Sequence, residues 1–231
     1  MPTAARVPWT PLLVIGGIAL VVGLAVLVSS HVTDAFDRSI IEAVRSDLVR
    51  DMLSPLRLIT ELGSTGAVTA MAAVAFVVGA AIGPWRHGLA GAVTILVASV
   101  LNSVLKLTIA RERPELLEPI IVERGFSFPS GHSALGMVAY GVLAVLVGRS
   151  RLPRRARAAI VFALGVLVGL IGISRIWLGV HYPTDVLAGW VAGGVIVLVY
   201  AALTRRVSPE PAAGAVDADP AGQRSGPPAA G

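Results

Sequence analysis

Six apolar blocks recur along the chain of 231 residues and constrain its fold more than any other feature. A helix of about 20 apolar residues crosses a bilayer core of about 30 Å, and five of the blocks approach that length. The fourth block is shorter, and it reaches spanning length only if its helix begins near Ser130. One short block alone would indicate a buried core helix, but six in a row predict an all-α integral membrane protein with six transmembrane helices. The blocks cover residues 12–28, 67–82, 89–105, 134–147, 158–173 and 186–203.

Composition supports a membrane protein and excludes several other classes. Hydrophobic residues make up 55% of the chain and charged residues 14%, whereas soluble domains average about 45–50% and about 25%. This apolar excess excludes an ordinary cytosolic enzyme and a disordered chain. The absence of Cys excludes disulfides, thiolate metal sites and thiol nucleophiles. Because aromatic residues are only 5% and Lys is nearly absent, the net charge of +5 indicates membrane topology rather than a nucleic acid partner.

The distribution of Arg predicts the orientation in the membrane. With both termini on the inner side, that side carries ten basic and three acidic residues, against nine basic and eleven acidic residues outside. Both termini should therefore be cytoplasmic, in a protein integral to the cell membrane. The first block could also be a signal peptide, but its run is long and only Arg6 precedes it, which favours a retained anchor. The strongest evidence for this orientation is the group of five basic residues between blocks four and five: Arg149, Arg151, Arg154, Arg155 and Arg157.

Two segments outside the apolar blocks have distinct patterns. Between residues 34 and 61, apolar side chains repeat every four residues, which predicts an amphipathic helix that packs as a lid at the outer membrane surface without a ligand role. Ser54 and Pro55 restart a helix, as cap and first-turn residue. Residues 209–231 are predicted to be a disordered cytoplasmic tail that follows a six-span domain of residues 1–208. The repeating apolar residues are Phe36, Ile40, Val44, Leu48 and Met52.

Two clusters of polar residues lie at the outer ends of blocks three and four. Lys106 and Arg113 are seven residues apart, so both would face one point if the helix persists that far. Taken alone, such cations usually extend to the lipid headgroups. In the second cluster Ser130 can cap a helix, Gly131 lets the backbone approach a ligand, and the free N–H groups favour an anion. Plain helix capping explains that cluster equally well, and its residues are Pro129, Ser130, Gly131 and His132.

A third cluster, between blocks five and six, contains Ser174, Arg175, His181 and Asp185. On a helix, the spacing of four places His181 and Asp185 on one face. An Asp bonded to one imidazole nitrogen fixes the tautomer and makes the other nitrogen a better nucleophile. An interfacial His and a helix-start Asp, each satisfied by water, would explain the pair equally simply.

The predicted topology brings all three clusters to the outer face of the membrane. Three cations, a Ser hydroxyl and a helix N-terminus could surround a phosphate there. One His has an Asp partner for nucleophilic attack, and the other is available as a proton donor. Charge neutralisation, a nucleophile and an acid are the parts that phosphoryl transfer needs without a metal.

The pattern Lys-x6-Arg-Pro, then Pro-Ser-Gly-His, then Ser-Arg-x5-His-x3-Asp resembles the signature of the type-2 phosphatidic acid phosphatase superfamily over residues 34–203. The resemblance implies that His181 attacks phosphorus to form a phosphohistidine, that Asp185 orients and polarises His181, and that His132 protonates the leaving oxygen. It implies neither a cofactor nor a metal. Arg111 lies at a variable position of the first motif and is left out. The residues expected to hold the phosphate oxygens are Lys106, Arg113, Ser130, Gly131 and Arg175.

The sequence therefore predicts a metal-independent membrane phosphatase that hydrolyses a phosphate or diphosphate of an isoprenoid or glycerolipid at the outer leaflet. Undecaprenyl-type carrier lipids are the leading candidates for the substrate. Two alternatives stay open: a non-catalytic transport or scaffold protein, and a phosphatase of a soluble phosphate ester. A vanadate-dependent haloperoxidase would share the anion pocket, but the membrane spans argue against it. Asn102 is expected to bond between helices rather than to act in catalysis.

Overall fold

The computed structural model describes residues 9–44, 53–114, 121 and 123–206. These described residues form eight helices and no strand, so the predicted all-α class is confirmed. The predicted tail, residues 209–231, lies outside the described residues, as do Leu48 and Met52 of the predicted amphipathic stretch. The helices are α1 (Trp9–Ser29), α2 (Asp34–Val44), α3 (Leu53–Glu61), α4 (Thr65–Ile82), α5 (Trp85–Ile109), α6 (Gly131–Gly148), α7 (Arg154–Trp177) and α8 (Pro183–Arg206).

Six of these helices, α1 and α4 to α8, are long and apolar enough to cross a membrane. Each contains one of the predicted apolar blocks, so the prediction of six spans is confirmed. Helix α6 begins at Gly131, and the short fourth block thereby reaches 18 residues, as spanning requires. Helix α7 begins at Arg154, four residues before its apolar block. A long Arg side chain can extend to the headgroups while its backbone stays helical, which explains the extra turn.

Helix α6 lies at the centre of the bundle and packs against α4, α5, α7 and α8. Its Val138, Ala139 and Val142 are fully buried. Because α6 is surrounded on all sides, its N-terminal residues are held at the middle of one end of the bundle. The buried cluster around it includes Ala75 of α4, Ile95 of α5, Ile171 of α7 and Tyr200 of α8.

Helices α6 and α8 approach each other at backbone distance. A Cβ atom on Gly189 would lie 2.8 Å from the carbonyl oxygen of Ser130, and one on Gly193 would lie 2.6 Å from that of Ala134. Only glycine fits at such an approach, because the opposing atoms are backbone and cannot move aside. The backbone N–H of Ser130 also donates to the carbonyl oxygen of Asp185 at 3.0 Å. The N-terminal ends of α6 and α8 are thereby fixed side by side.

Helix α2 packs against the bundle through a narrow stripe. Its buried residues are Asp37 and Ile41, whereas Phe36 of the apolar repeat is 58% exposed. The exposed Phe36 is compatible with the predicted position at the membrane surface, while Asp37 and its polar partners anchor the side of α2 that faces the bundle. The prediction for Ser54 is wrong in detail, since α3 begins at Leu53 and places Ser54 in its first turn.

Candidate active site

The three polar clusters meet at one end of the bundle. The ends of α5 and α7 bring Lys106 and Arg175 there, and the starts of α6 and α8 bring His132 and Asp185. His181 lies in the turn before α8. All eight residues assigned to the site from the sequence are grouped around this point, including Arg113, Ser130 and Gly131.

His181 and Asp185 form a contact through the turn that starts α8. Nδ1 of His181 lies 3.4 Å from Oδ2 of Asp185 and 3.3 Å from Oγ of Ser127. The expected one-face helical arrangement is wrong, because α8 begins only at Pro183. Instead the chain turns back, and the backbone N–H of Tyr182 donates to Oδ2 of Asp185 at 2.9 Å. The His181–Asp185 pair, called the dyad below, is therefore formed by a turn rather than along one helix face. Asp185 still faces one nitrogen of the imidazole, as expected.

The other imidazole nitrogen of His181 faces a cation. Nε2 lies 3.2 Å from Nη1 of Arg113, and a guanidinium can only donate. Nε2 is thus the acceptor and Nδ1 carries the proton toward Asp185. Burial lowers the pKa of His181 to about 4, with Lys106 and Arg113 acting in the same direction against Asp185. The imidazole is neutral at pH 7, with a lone pair directed at a cationic pocket.

Lys106 reaches the site from the last turn of helix α5, and Arg113 reaches it from the chain that follows the helix. Helix α5 ends at Ile109, and Ala110 takes a left-handed conformation with φ of 49°. The helix thus does not persist to Arg113, which was the condition for both cations to lie on one helix face. Nζ of Lys106 donates to the carbonyl oxygen of Phe126 at 2.7 Å. Nη1 of Arg113 donates to the carbonyl oxygen of Val180 at 2.8 Å, and these two bonds hold both cations beside the dyad.

Arg175 is the most buried of the three cations, with 1% of its surface exposed. Its Nη1 donates to Oγ1 of Thr60 at 2.6 Å, and its Nη2 donates to a carboxylate oxygen of Glu123. The other oxygen of Glu123 lies 3.8 Å from Nη2 of Arg113. Burial opposes ionisation of Glu123, but Arg175 holds the pKa of Glu123 below its usual range. Glu123 is therefore an anion that bridges two of the cations.

The start of α6 leaves its first turn without a side-chain cap. Ser130 occupies the N-cap position, but its hydroxyl accepts a hydrogen bond from Oγ of Ser133 at 3.1 Å and does not cap the helix. Plain capping by Ser130 is thus not its role, and the N-terminal N–H groups can receive an anion. A Cβ on Gly131 would lie 3.3 Å from Nδ2 of Asn102, so the small residue keeps this backbone accessible. Asn102 is buried, and among the described residues its Oδ1 has no hydrogen-bond partner, contrary to the expected interhelical bond.

Several residues around the dyad were not identified from the sequence. The hydroxyl of Ser127 donates to Oδ2 of Asp185, and Arg111 pairs with Oδ1 of the same carboxylate at 2.7 Å. Asp37 of α2 pairs with Arg111 at 2.8 Å. Only Arg111 lay within a recognised motif, at a position treated as variable. Neither Ser127 nor Asp37 carried a local signal, because their partners are far away in the chain.

A cavity of about 670 Å³ opens beside Arg113. Its walls come from the end of α1, from α2 and from the chain after α5. It shares Arg111 and Arg113 with the site and also reaches Tyr182, which follows His181 directly. Its apolar part includes Val28 of α1, Ile41 of α2 and Ile109 of α5. The cavity therefore offers both polar and apolar surface next to the dyad.

A sequence model of the PAP2 superfamily matches residues 87–208, which contain all three motifs. The chain belongs to the PAP2 superfamily. The resemblance found from the three motifs is thereby confirmed, and with it the prediction of a phosphatase.

Two curated proteins and one solved structure show how far the similarity extends. Phosphatidylglycerophosphatase B of Bacillus subtilis is 32% identical over 177 residues, which are 74% of this chain and 84% of that protein. Undecaprenyl-diphosphatase of Sulfolobus acidocaldarius is 32% identical over 119 residues, 48% of this chain and 52% of that protein. The crystal structure of a transmembrane PAP2 type phosphatidylglycerolphosphate phosphatase from Bacillus subtilis matches with a TM-score of 0.72 and 28% identity, over 84% of this chain and 97% of that one. With the six apolar helices, these PAP2 relatives identify a multi-pass membrane protein.

Proposed function

We propose that the protein hydrolyses the phosphate monoester or diphosphate of a membrane lipid through a phosphohistidine on His181. The observation that carries this proposal is the orientation of the imidazole. Its Nδ1 faces Asp185, and its Nε2 faces the guanidinium of Arg113 at 3.2 Å. A neutral imidazole held in this tautomer directs its lone pair to the place where a bound phosphate would lie.

In the first step, Nε2 of His181 forms a bond to phosphorus while the bond from phosphorus to the lipid oxygen breaks. The departing oxygen takes a proton from His132. In the second step, a water oxygen attacks phosphorus, the bond from phosphorus to nitrogen breaks, and His132 accepts the proton of that water. The products are inorganic phosphate and the lipid alcohol, or the lipid monophosphate if the substrate is a diphosphate.

The cations stabilise the charge that develops on phosphorus. Lys106, Arg113 and Arg175 supply three positive charges, and the start of α6 adds the N–H of Gly131 and the Ser130 hydroxyl. Together they neutralise a dianion without a metal ion. Within the described residues, no group of three His, Asp or Glu side chains lies close enough to share a metal. Independence of metals is accordingly a prediction for the activity assay.

The lipid class is inferred from the relatives and from the cavity beside Arg113. The named relatives act on phosphatidylglycerophosphate and undecaprenyl diphosphate, and both substrates join a phosphate to a membrane-embedded tail. The cavity joins polar residues near the dyad to apolar residues of α1, α2 and α5. This combination suits the junction between a phosphorylated headgroup and a lipid tail. The greater coverage of the Bacillus protein favours a glycerolipid phosphate over the undecaprenyl-type carrier.

We further propose that the site lies at the outer face of the cell membrane. The site-bearing end of the bundle is opposite the loop between α6 and α7, which contains Arg149 and Arg151. Positive loops are retained in the cytoplasm, so both termini are assigned to the cytoplasm and the site to the other side. An extracytoplasmic site would act on lipid headgroups of the outer leaflet.

Phosphate release by the purified protein tests the substrate class. The panel comprises phosphatidylglycerophosphate, phosphatidic acid, undecaprenyl diphosphate and a soluble sugar phosphate, each with and without excess chelator. We expect release from the lipids, with phosphatidylglycerophosphate hydrolysed fastest, and no loss in chelator. His181→Ala should abolish release, whereas His87→Ala, at the opposite end of the bundle, should retain it. Faster hydrolysis of the sugar phosphate, or activity that requires added Mg²⁺, would contradict the proposal.

A further inference from the structure

The Asp185 carboxylate is held from two sides. Oδ2 faces His181 and accepts hydrogen bonds from the hydroxyl of Ser127 and the N–H of Tyr182. Oδ1 accepts from Nη1 of Arg111 at 2.7 Å. Asp185 is fully buried, so its orientation depends on these protein partners rather than on water. Arg111 is the only one of them that binds the oxygen directed away from the imidazole.

Arg111 is itself fixed in place by neighbouring groups. Nη2 donates to Oδ2 of Asp37 at 2.8 Å, and Nη1 donates to Oγ1 of Thr184 at 2.9 Å. The guanidinium lies over the Tyr182 ring, 4.0 Å from its centroid. The side chain of Arg111 is 8% exposed and that of Asp37 is fully buried. A planar fork that bonds two carboxylates and stacks on a ring has one orientation.

Asp37 extends this connection to helix α2. Its Oδ1 accepts from the backbone N–H of Thr184 at 3.1 Å, and its Oδ2 accepts from Oγ1 of Thr184 at 2.6 Å. Thr184 is in the first turn of α8, where a backbone N–H has no partner within the helix. Asp37 therefore satisfies the start of α8 from a separate helix. Helix α2 is joined to the dyad through Arg111 and through the first turn of α8.

We propose that Arg111 and Asp37 are positioning residues of the reaction: Arg111 holds the Asp185 carboxylate against His181, and Asp37 holds Arg111. The proposal rests on the proposed function, because it assigns a task to the dyad. It gives α2 a part in catalysis, where the sequence indicated a lid without a ligand role. Arg111 lines the cavity beside Arg113, but its guanidinium N–H groups are directed to Asp37, Thr184 and Asp185, so we assign the effect of both residues to Asp185.

The charges around the dyad define what each substitution changes. Arg111 lies between two buried carboxylates, and its loss would leave Asp37 and Asp185 facing each other without a cation. The Asp185 carboxylate would then turn away or take up a proton, and His181 would lose its fixed tautomer. The other charged or titratable groups near His181 are Lys106 of α5, Arg113 and Glu123 of the following loop, His132 of α6 and Arg175 of α7.

The test is a cycle of substitutions measured by the rate of phosphate release from a lipid phosphate and from nitrophenyl phosphate. Arg111→Gln and Asp37→Asn should each lower kcat by about 10- to 100-fold, the range found when a residue that orients a metal ligand is lost, with KM changed less than about threefold. Arg111→Lys should be intermediate, because an ammonium cannot bridge both carboxylates. Arg149→Gln is the matched control. Its guanidinium is also hydrogen-bonded, to Thr204 and Ala201 at the opposite end of the bundle, and its kcat should be unchanged.

The decisive question is whether the loss of rate in Arg111→Gln depends on Asp185. In an Asp185→Asn background, Arg111→Gln should lower the rate of phosphate release by less than about threefold. Quenched single-turnover assays with radiolabelled lipid measure these slow rates. A role in folding alone would give the full loss in both backgrounds, and that result would overturn the proposal. Binding of vanadate, monitored by Trp fluorescence, identifies variants that retain a folded site. If the wild-type protein releases no phosphate, or His181→Ala retains wild-type activity, the proposed function fails instead.

Discussion

Nε2 of His181 lies 3.2 Å from Nη1 of Arg113, on the side of the imidazole that faces away from Asp185. This relationship joins the third motif to the first across 68 positions of the chain. In the proposed mechanism, it places the attacking nitrogen against a cation that would hold the phosphate. The proposed phosphate site therefore depends on residues of both motifs.

The two histidines should respond differently to the leaving group. A lipid alkoxide needs a proton to depart, whereas nitrophenolate is stable without one. His132→Ala should therefore lose about 10²–10⁴-fold on a lipid monophosphate and much less on nitrophenyl phosphate. A lipid diphosphate, whose leaving group is more acidic, should fall between them. His181→Ala should lose activity on all three alike.

Rates of enzyme phosphorylation, measured by rapid quench, separate these effects from slow dephosphorylation. If His132 only shapes the phosphate pocket, its loss will slow all three substrates by the same factor. If His132→Ala and His181→Ala lose the same factor in rate on every substrate, His132 cannot be assigned as the acid and His181 as the nucleophile.

His181 should remain neutral well below neutral pH. Burial lowers the pKa of His181 to about 4, against about 6.5 for an ordinary imidazole. A lowered pKa means that protonation starts only as the pH approaches 4, so the nucleophile keeps its lone pair at pH 5 to 8. NMR of ring-labelled protein in detergent can follow this directly, because the chain contains 4 His. His181→Ala identifies the signal, and a titration midpoint near 6.5 would show that the imidazole is not held as described.

The close approach of α6 and α8 should be sensitive to a single methyl group. A Cβ on Gly189 would lie 2.8 Å from the Ser130 carbonyl oxygen, and overpacking of this kind costs about 1–3 kcal/mol. Gly189→Ala should therefore lower both the melting temperature and kcat, because the starts of α6 and α8 must separate. Gly194→Ala is the matched control on the same helix, since a Cβ there meets nothing within 4 Å. Equal behaviour of the two variants would contradict the packing described.

The orientation in the membrane can be tested with introduced cysteines, since the chain has none of its own. Arg124→Cys lies in the exposed loop next to the site, and Arg151→Cys lies in the exposed loop between α6 and α7. An impermeant maleimide should label the first in intact cells and the second only after permeabilisation. The reverse pattern would place the site in the cytoplasm.

The sequence was most informative where the cause is local. Hydropathy defined the six spans, because a bilayer imposes one length on every helix that crosses it. The start of α6 at Gly131 followed from the length that the fourth block needed. Short motifs carried the cations and the two histidines, because each motif keeps its residues within a few positions.

Contacts between distant segments were not predictable in the same way. Asp37 is buried because Arg111 and Thr184 lie against it, and both partners are more than 70 positions away. The apolar repeat marked the adjacent stripe of α2, which begins at the exposed Phe36, and gave no signal for Asp37. The contact between His181 and Asp185 was expected on a helix, but it depends on a turn that ends at Pro183.

Trapping the covalent intermediate tests the central claim most directly. The purified protein is mixed with a radiolabelled lipid phosphate, quenched within one turnover, digested and analysed by mass spectrometry under alkaline conditions that preserve phosphohistidine. We predict phosphate on the peptide that contains His181, absent in His181→Ala and formed at the rate of lipid consumption. Lipid hydrolysis at the wild-type rate without label on that peptide would contradict a phosphohistidine mechanism.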